Sequence, residues 1–143
     1  MSDYEQLYSL LSACAAAVKR AADCALAQGA TRGLDYDGLL LLKALSDREE
    51  MQIQQLAATV GRDIATTSRQ VSLLVARGWL TKRTDARDLR VRYVKLTARA
   101  QEALKAAEAL MRQLYSHMRA HLSAIEQQEL VRMLVQLLAQ KRS

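Results

Sequence analysis

The sequence of 143 residues has no proline and no phenylalanine, and it has only two cysteines and two histidines. Because proline breaks helices, its absence leaves the Ala- and Leu-rich composition free to form long ones. Two cysteines without a regular spacing exclude a disulfide scaffold and fit a reducing compartment. No apolar run reaches the roughly 18 residues of a membrane span, and the opening Met-Ser-Asp-Tyr-Glu does not resemble a signal peptide. We therefore expect one cytoplasmic domain with no membrane partner.

The motifs of common catalytic sites are also missing. We find no Gly-rich phosphate loop, no Ser/His/Asp set and no Cys/His set. His117 and His121 stand four residues apart on a predicted helix, a spacing that suits a metal, but no third ligand lies near them. We expect no enzyme, no metal site and no cofactor.

The segment 51–97 has the pattern of a DNA-binding helix-turn-helix followed by a β-hairpin. Two helical patterns, Ile53–Val60 and 63–77, meet at Gly61, where a left-handed residue lets the first helix end. Asp63 is predicted to cap the second helix. After Gly78, two β-type runs within 80–96 flank a polar turn, which predicts a hairpin.

Positive charge is concentrated in this segment. Residues 62–95 contain nine Lys or Arg and three Asp, so their net charge equals the +6 of the whole chain. A surface that meets a polyanion explains such segregation. Double-stranded DNA is the expected partner.

A projection of the second helix separates two faces. The face expected to pack inward contains Ile64, Thr67, Val71, Leu74 and Val75. The face expected to enter a major groove contains Ala65, Thr66, Arg69, Ser72 and Leu73, with Arg69 near its centre, where it suits a bidentate contact to guanine. Five further basic residues of the segment are predicted to meet DNA, mostly as phosphate partners: Arg77, Lys82, Arg83, Arg87 and Arg92.

Helices are expected on both sides of this segment. One spans about 4–28, and a second, apolar nearly all round and capped by Asp35 or Asp37, is expected at the centre of the subunit. Thr97 is predicted to cap a long helix to about His121, and a capping box at Ser123 starts a last helix to about Gln140. We expect residues 1–34 and 98–143 to be dimerisation helices around a DNA-binding domain at 35–97.

The segment resembles the winged helix-turn-helix of the multiple antibiotic resistance regulator (MarR) family. The resemblance lies in three stretches and a wing signature. The stretches are Gln55-Leu-Ala-Ala-Thr-Val-Gly61, Thr66-Thr-Ser-Arg-Gln-Val-Ser-Leu-Leu74 and Ala76-Arg-Gly78. The signature is Asp88, Arg90, Val94, Leu96 and Thr97. The chain departs from the family pattern at Arg62, where an apolar residue usually follows the turn glycine, and at Ala100, where glycine is frequent.

The resemblance implies a mainly α fold with a β-hairpin wing, in a homodimer that binds a pseudo-palindromic operator. It implies groove contacts by Thr66 and Arg69 and a phosphate contact by Ser68. Arg90 would be the wing contact, with Asp88 holding the wing by pairing with a nearby arginine. It also implies a repressor whose DNA affinity a small-molecule effector reduces.

Three other interpretations remain. A non-specific architectural DNA-binding protein would have the same charge pattern, and a helical adaptor dimer would not bind DNA. Cys14, close in sequence to Tyr4 and Tyr8, would make the protein a peroxide-sensing regulator if its thiol were reactive; the alternative is a small buried apolar residue.

Overall fold

In the computed structural model, which describes residues 2–139, the chain is mainly α-helical with one small antiparallel sheet. The helices are α1 (Asp3–Leu26), α2 (Tyr36–Leu45), α3 (Ile53–Val60), α4 (Ile64–Ala76), α5 (Ala98–Arg119) and α6 (Ala124–Ala139), and a 3-10 turn lies at Gly29–Thr31. The strands are β1 (Met51–Gln52), β2 (Leu80–Thr84) and β3 (Arg92–Leu96). The predicted fold class is confirmed. None of the described helices is long and apolar enough to cross a membrane.

Helix α2 lies in the core, as its apolar sequence predicts. Asp35 caps it by accepting a hydrogen bond from the Gly38 amide at 2.7 Å. Gly38 lies where α2 approaches α4 closely, since a Cβ at this position would come within 3.2 Å of Leu74. The fully buried large side chains of the chain include Leu39, Leu42 and Leu45 of α2 itself, together with Leu56, Val71, Trp79 and Val94. The core is therefore built mainly from residues of the predicted DNA-binding domain, 35–97.

The sheet has the order β1-β3-β2, so β3 is its central strand. Leu80 pairs with Leu96 and Met51 with Val94, which places these four apolar side chains on the core face. Strand β1 was not predicted, because two residues are too few to show an alternating pattern.

Helix α5 begins where it was predicted to begin. The Ala100 amide donates to Thr97 Oγ1 at 3.1 Å, and the same hydroxyl donates to the Gly78 carbonyl at 2.8 Å. The helix ends at Arg119, two residues before the predicted end near His121. A new helix start follows at once, because Ser123 and Glu126 form the predicted capping box, with N···O distances of 2.9 and 3.1 Å.

The chain divides within α5 into two compact units, Met1–Leu110 and Met111–Ser143. The first contains the core described above. In the second, α6 has no buried residue among those described. The predicted helix end near Gln140 lies outside the described residues.

Candidate nucleic-acid interface

The turn between α3 and α4 has the predicted geometry. Gly61 is left-handed, with φ 70° and ψ 33°. Asp63 then caps α4, since its Oδ1 accepts a hydrogen bond from the Thr66 amide at 2.7 Å and its Oδ2 accepts one from the Thr66 hydroxyl at 2.8 Å. Both bonds lower the pKa of Asp63 below the usual aspartate range, and the bond from the Thr66 amide has the larger effect. The cap fixes where the first turn of α4 begins.

The two faces of α4 agree with the projection at most positions. Thr67, Val71 and Leu74 are buried. The opposite face is open: Ala65, Arg69, Ser72 and Leu73 are exposed, and Thr66 and Ser68 are half-buried. Two inward predictions differ. Val75 is only half-buried. Ile64 is 52 % exposed, because the first turn of α4 extends beyond the core.

The polar side chains on the open face of α4 make contacts within the helix itself. Arg69 Nη2 lies 3.4 Å from Thr66 Oγ1, and the Ser72 hydroxyl donates to the Ser68 carbonyl at 3.1 Å. Arg69 and Thr66 are the two residues for which the resemblance implies groove contacts. Small side chains around one guanidinium suit close approach to base edges.

The tip of the wing is a turn held by two aspartates. Asp85 Oδ1 accepts hydrogen bonds from the amides of Arg87 at 2.7 Å and Asp88 at 3.1 Å, and these bonds lower the pKa of Asp85. Asp88 Oδ1 accepts from the Arg90 amide at 3.0 Å and from its Nε at 3.1 Å. Arg90 Nη2 also donates to Asp88 Oδ2 at 3.4 Å, so Asp88 holds both the amide and the guanidinium of Arg90, although the Arg90 side chain is 92 % exposed.

Asp88 pairs with Arg90 itself, which the sequence did not specify. The organising role of Asp85 was missed as well. Its signal was present in the sequence, since an aspartate in a turn often accepts a hydrogen bond from the backbone two residues on.

The wing and α4 meet in one concave groove of about 410 Å³. Its lining combines α3, α4 and wing residues: Gln52, Ile53, Gln54, Ile64, Ser68, Asp88, Arg90, Val91 and Arg92. The two motifs that the sequence identified separately therefore form one continuous surface.

The remaining predicted basic residues lie in three different places. Directly paired residues lie on the same face of a sheet. Lys82, opposite Val94, and Arg92, opposite Thr84, therefore lie on the face that carries the core residues, nearer the wing tip. Arg87 lies at the exposed tip. Arg77 is the C-cap of α4.

Arg83 is held by other protein groups. Its Nε donates to Glu50 Oε2 at 3.0 Å, and its guanidinium lies 4.2 Å from the centroid of the Tyr93 ring. The bond to Arg83 lowers the pKa of Glu50, and the same bond raises the pKa of Arg83. Sequence reasoning missed Glu50, because only the pairing of β1 with β3 brings it to the wing.

The other candidate groups lie elsewhere. Cys14 is exposed on α1, so the alternative of a buried apolar residue is wrong for the single chain. His117 lies on α5, but His121 lies beyond its end, so the two do not share a helix face. Within residues 2–139, no three His, Cys, Asp or Glu side chains are grouped as metal ligands.

Comparison with known proteins identifies the fold. A family model described as HVO_A0114 matches residues 36–98, from α2 to the start of α5. No curated protein sequence matches the chain. Among solved structures, MarR from E. coli complexed with operator DNA has a TM-score of 0.82 at 19% identity, covering 92% of this chain and 93% of that one.

Two further structures are similar over most of their length. The M. tuberculosis transcriptional regulator MOSR in complex with DNA has a TM-score of 0.81 at 24% identity and covers 95% of both chains. PcaV from Streptomyces coelicolor, in complex with its natural ligand, has a TM-score of 0.80 at 20% identity, covering 90% of this chain and 88% of that one. The chain therefore has the winged-helix fold of the MarR-family transcriptional regulators.

Proposed function

We propose that this protein is a homodimeric, sequence-specific DNA-binding transcriptional regulator that represses its targets from a pseudo-palindromic operator. The observation that carries the proposal is the groove in which Ile64 and Ser68 of α4 meet Arg90 and Arg92 of the wing, on the same helix as the exposed Arg69. MarR and MOSR, which share this fold, were solved with DNA. The concentration of the chain's net charge in this segment supports the same partner.

In the proposed complex α4 enters the major groove. Arg69 reads a base edge with Thr66 beside it, and Ala65 and Ser72 allow close approach. Arg90 reaches the minor groove from the wing tip. The phosphate partners are Ser68, Arg77, Lys82, Arg87 and Arg92. Arg83 was predicted as another, but its bonds to Glu50 favour a role in holding the wing.

Dimerisation is proposed from the exposed apolar surfaces of α1 and α6. On α1, Tyr4 is 77 % and Tyr8 74 % exposed; on α6, Val131 is 60 % and Leu138 67 % exposed. Large apolar side chains at this exposure are stabilised when a second copy covers them, at about 25 cal/mol per Å² buried. Two copies would present two recognition helices to half-sites about 34–36 Å apart.

A small-molecule effector is proposed to release the DNA. PcaV was solved with a natural ligand. A ligand that favours a different spacing of the two recognition helices shifts the population away from DNA binding.

Selection of bound sequences from a random duplex pool, at about 0.15 M salt, tests the proposal. An enriched pseudo-palindrome with half-sites one helical turn apart is the expected result. Tight binding without enrichment, which collapses as salt rises, would instead establish the architectural protein. Failure to bind any duplex would leave the adaptor dimer.

Arg69 and Lys82 provide the matched variants for this test. In a specific regulator, Arg69→Ala costs about 1–3 kcal/mol on the operator and little on random DNA. Lys82→Ala weakens binding to both and flattens the slope of log K against log salt by about 0.9. In an architectural protein, both changes would weaken all sequences alike.

Cys14 supports a second candidate, the peroxide-sensing regulator, because its thiol is exposed. Peroxide treatment is then expected to weaken DNA binding in the wild-type protein and not in Cys14→Ser. Equal binding by treated and untreated wild-type protein would remove this candidate.

A further inference from the structure

Asp37 lies between two cations that come from different parts of the fold. Its Oδ2 is 2.8 Å from Lys19 Nζ of α1, and its Oδ1 is 2.8 Å from Arg62 Nη2, in the turn between α3 and α4. The carboxylate is partly buried, with 20 % of the side chain exposed, whereas Lys19 is half exposed. One acidic group on α2 thus joins α1 to the helix-turn-helix.

The connection continues in both directions. Arg62 Nη1 donates to Gln70 Oε1 of α4 at 3.3 Å, which ties the turn to the recognition helix. On the other side, Asp23 of α1 accepts a hydrogen bond from the Tyr36 amide, the first residue of α2, at 2.7 Å. The polar contacts therefore run without interruption from α1 through α2 to α4.

The electrostatics favour this arrangement over a solvated pair. The hydrogen bond from Lys19, opposed by partial burial and helped by the bond from Arg62, lowers the pKa of Asp37 below its ordinary value of 3.8. Both hydrogen bonds to Asp37 come from charged donors, and the carboxylate is partly buried. Each bond is therefore stronger than one in a fully exposed ion pair.

We infer that Asp37 is a positioning residue: it holds the recognition helix α4 at a fixed place relative to α1 through Lys19 and Arg62. The inference rests on the proposed function, since α1 is the proposed dimer helix and α4 the proposed reading helix. A dimer binds two half-sites only when both recognition helices keep a set distance, so a loose connection within each subunit lowers affinity.

The alternative role for Arg62 is a phosphate contact. It predicts the opposite change in DNA affinity when the charge of Asp37 is removed. If Arg62 met DNA, removing the Asp37 charge would free a cation and remove a repulsive anion, so affinity would rise. If Asp37 positions the helix, affinity falls although the protein has become more positive.

The experiment compares Asp37→Asn and Asp37→Ala with Asp47→Asn, a change of the same charge at an exposed aspartate. Binding to the selected operator duplex is measured by fluorescence anisotropy over a range of salt, well below the melting temperature. We expect both Asp37 variants to bind about tenfold more weakly, with the salt slope of the wild type, and Asp47→Asn to bind as tightly as the wild type. Asp37 variants that bind as tightly as Asp47→Asn, or more tightly, would overturn the inference.

A double-mutant cycle with Lys19→Met and Arg62→Met keeps the test independent of one variant's folding. Because both cations act through Asp37, the double variant is expected to lose less affinity than the product of the two single losses. Losses that multiply would overturn the inference.

Urea unfolding of the same four proteins, followed by Trp79 fluorescence, tests the inference independently of the proposed function. If the wild type binds no duplex, the proposed function fails, and the coupling in unfolding still decides whether Lys19 and Arg62 act through one group. Additive effects on the unfolding midpoint would then reject the connection.

Discussion

The guanidinium of Arg99, in the first turn of α5, lies 3.9 Å from the centroid of the Trp79 ring. Its Nη1 also donates to the Arg77 carbonyl at the end of α4. Trp79 is fully buried, and its Nε1 has no hydrogen-bond partner among residues 2–139. One side chain thus connects α5 to the end of the recognition helix.

Arg99→Ala is expected to destabilise the protein by about 1–2 kcal/mol, because it removes a cation–π contact and a hydrogen bond from a charged donor. Urea unfolding measures this, with Trp79, the single tryptophan, as the fluorescent probe. Arg48→Ala, at an exposed arginine of the α2–β1 loop, is the control and should unfold like the wild type. An Arg99→Ala midpoint equal to that of the control would contradict the prediction.

Asp85→Ala is expected to weaken DNA binding, although it removes a negative charge from a surface that meets DNA. The carboxylate holds the amides of Arg87 and Asp88, and without it the wing tip loses its set conformation. Asp85→Asn retains one acceptor oxygen and should be intermediate. Anisotropy titration with operator DNA ranks the three proteins. If Asp85→Ala bound more tightly than the wild type, charge and not the turn would dominate at the tip.

Leu73→Ala is expected to lower operator affinity without changing the salt slope. Leu73 is 55 % exposed on the open face of α4, where an apolar side chain suits a thymine methyl group. Because it lies outside the core, the unfolding midpoint should change little, and Leu73→Met should restore much of the affinity. Full affinity in Leu73→Ala would show that this side chain lies outside the interface.

Val131→Glu is expected to convert the proposed dimer into a monomer, since a charge at this exposed apolar position of α6 disfavours burial against a second copy. Gln128→Glu adds the same charge at an exposed polar position and serves as the control. Sedimentation equilibrium gives both masses. A wild type that already sediments as a monomer would contradict the proposal of dimerisation.

Acid is expected to destabilise the wild type more than Asp37→Asn. The pKa of Asp37 is lowered by folding, so its contribution to stability is present above its ordinary value of 3.8 and is lost as pH falls through the lower value of the folded state. Urea midpoints measured from neutral pH down to acid should therefore converge for the two proteins. The other carboxylates with lowered pKa, Glu50, Asp63 and Asp85 among them, will add to the loss in both. Parallel curves would show that Asp37 makes no such contribution.

Much of the fold could be predicted from local sequence signals. The αL glycine at 61, the caps at Asp35, Asp63 and Thr97, and the capping box at Ser123 all have the expected hydrogen bonds. Each depends on residues three or fewer apart, or on a single backbone conformation, so the sequence alone determines them.

The sequence also determined which face of α4 is open, because the helical period places Arg69 opposite Val71 and Leu74. The helical projection was wrong at Ile64, which it placed on the buried face, because the exposure of Ile64 depends on where the core ends. That boundary is set by neighbouring elements that no helical projection includes.

Only the tertiary structure decided how the charges are used. In the sequence, Arg83 and Arg62 are simply two cations of a basic segment. In the structure, Arg83 is bound by Glu50, 33 positions away, and Arg62 by Asp37, 25 positions away. Residue type and spacing set the total charge and its concentration in one segment. Which cations remain available to a ligand depends on the partners that chain folding brings within hydrogen-bond distance, and sequence separation does not encode that distance.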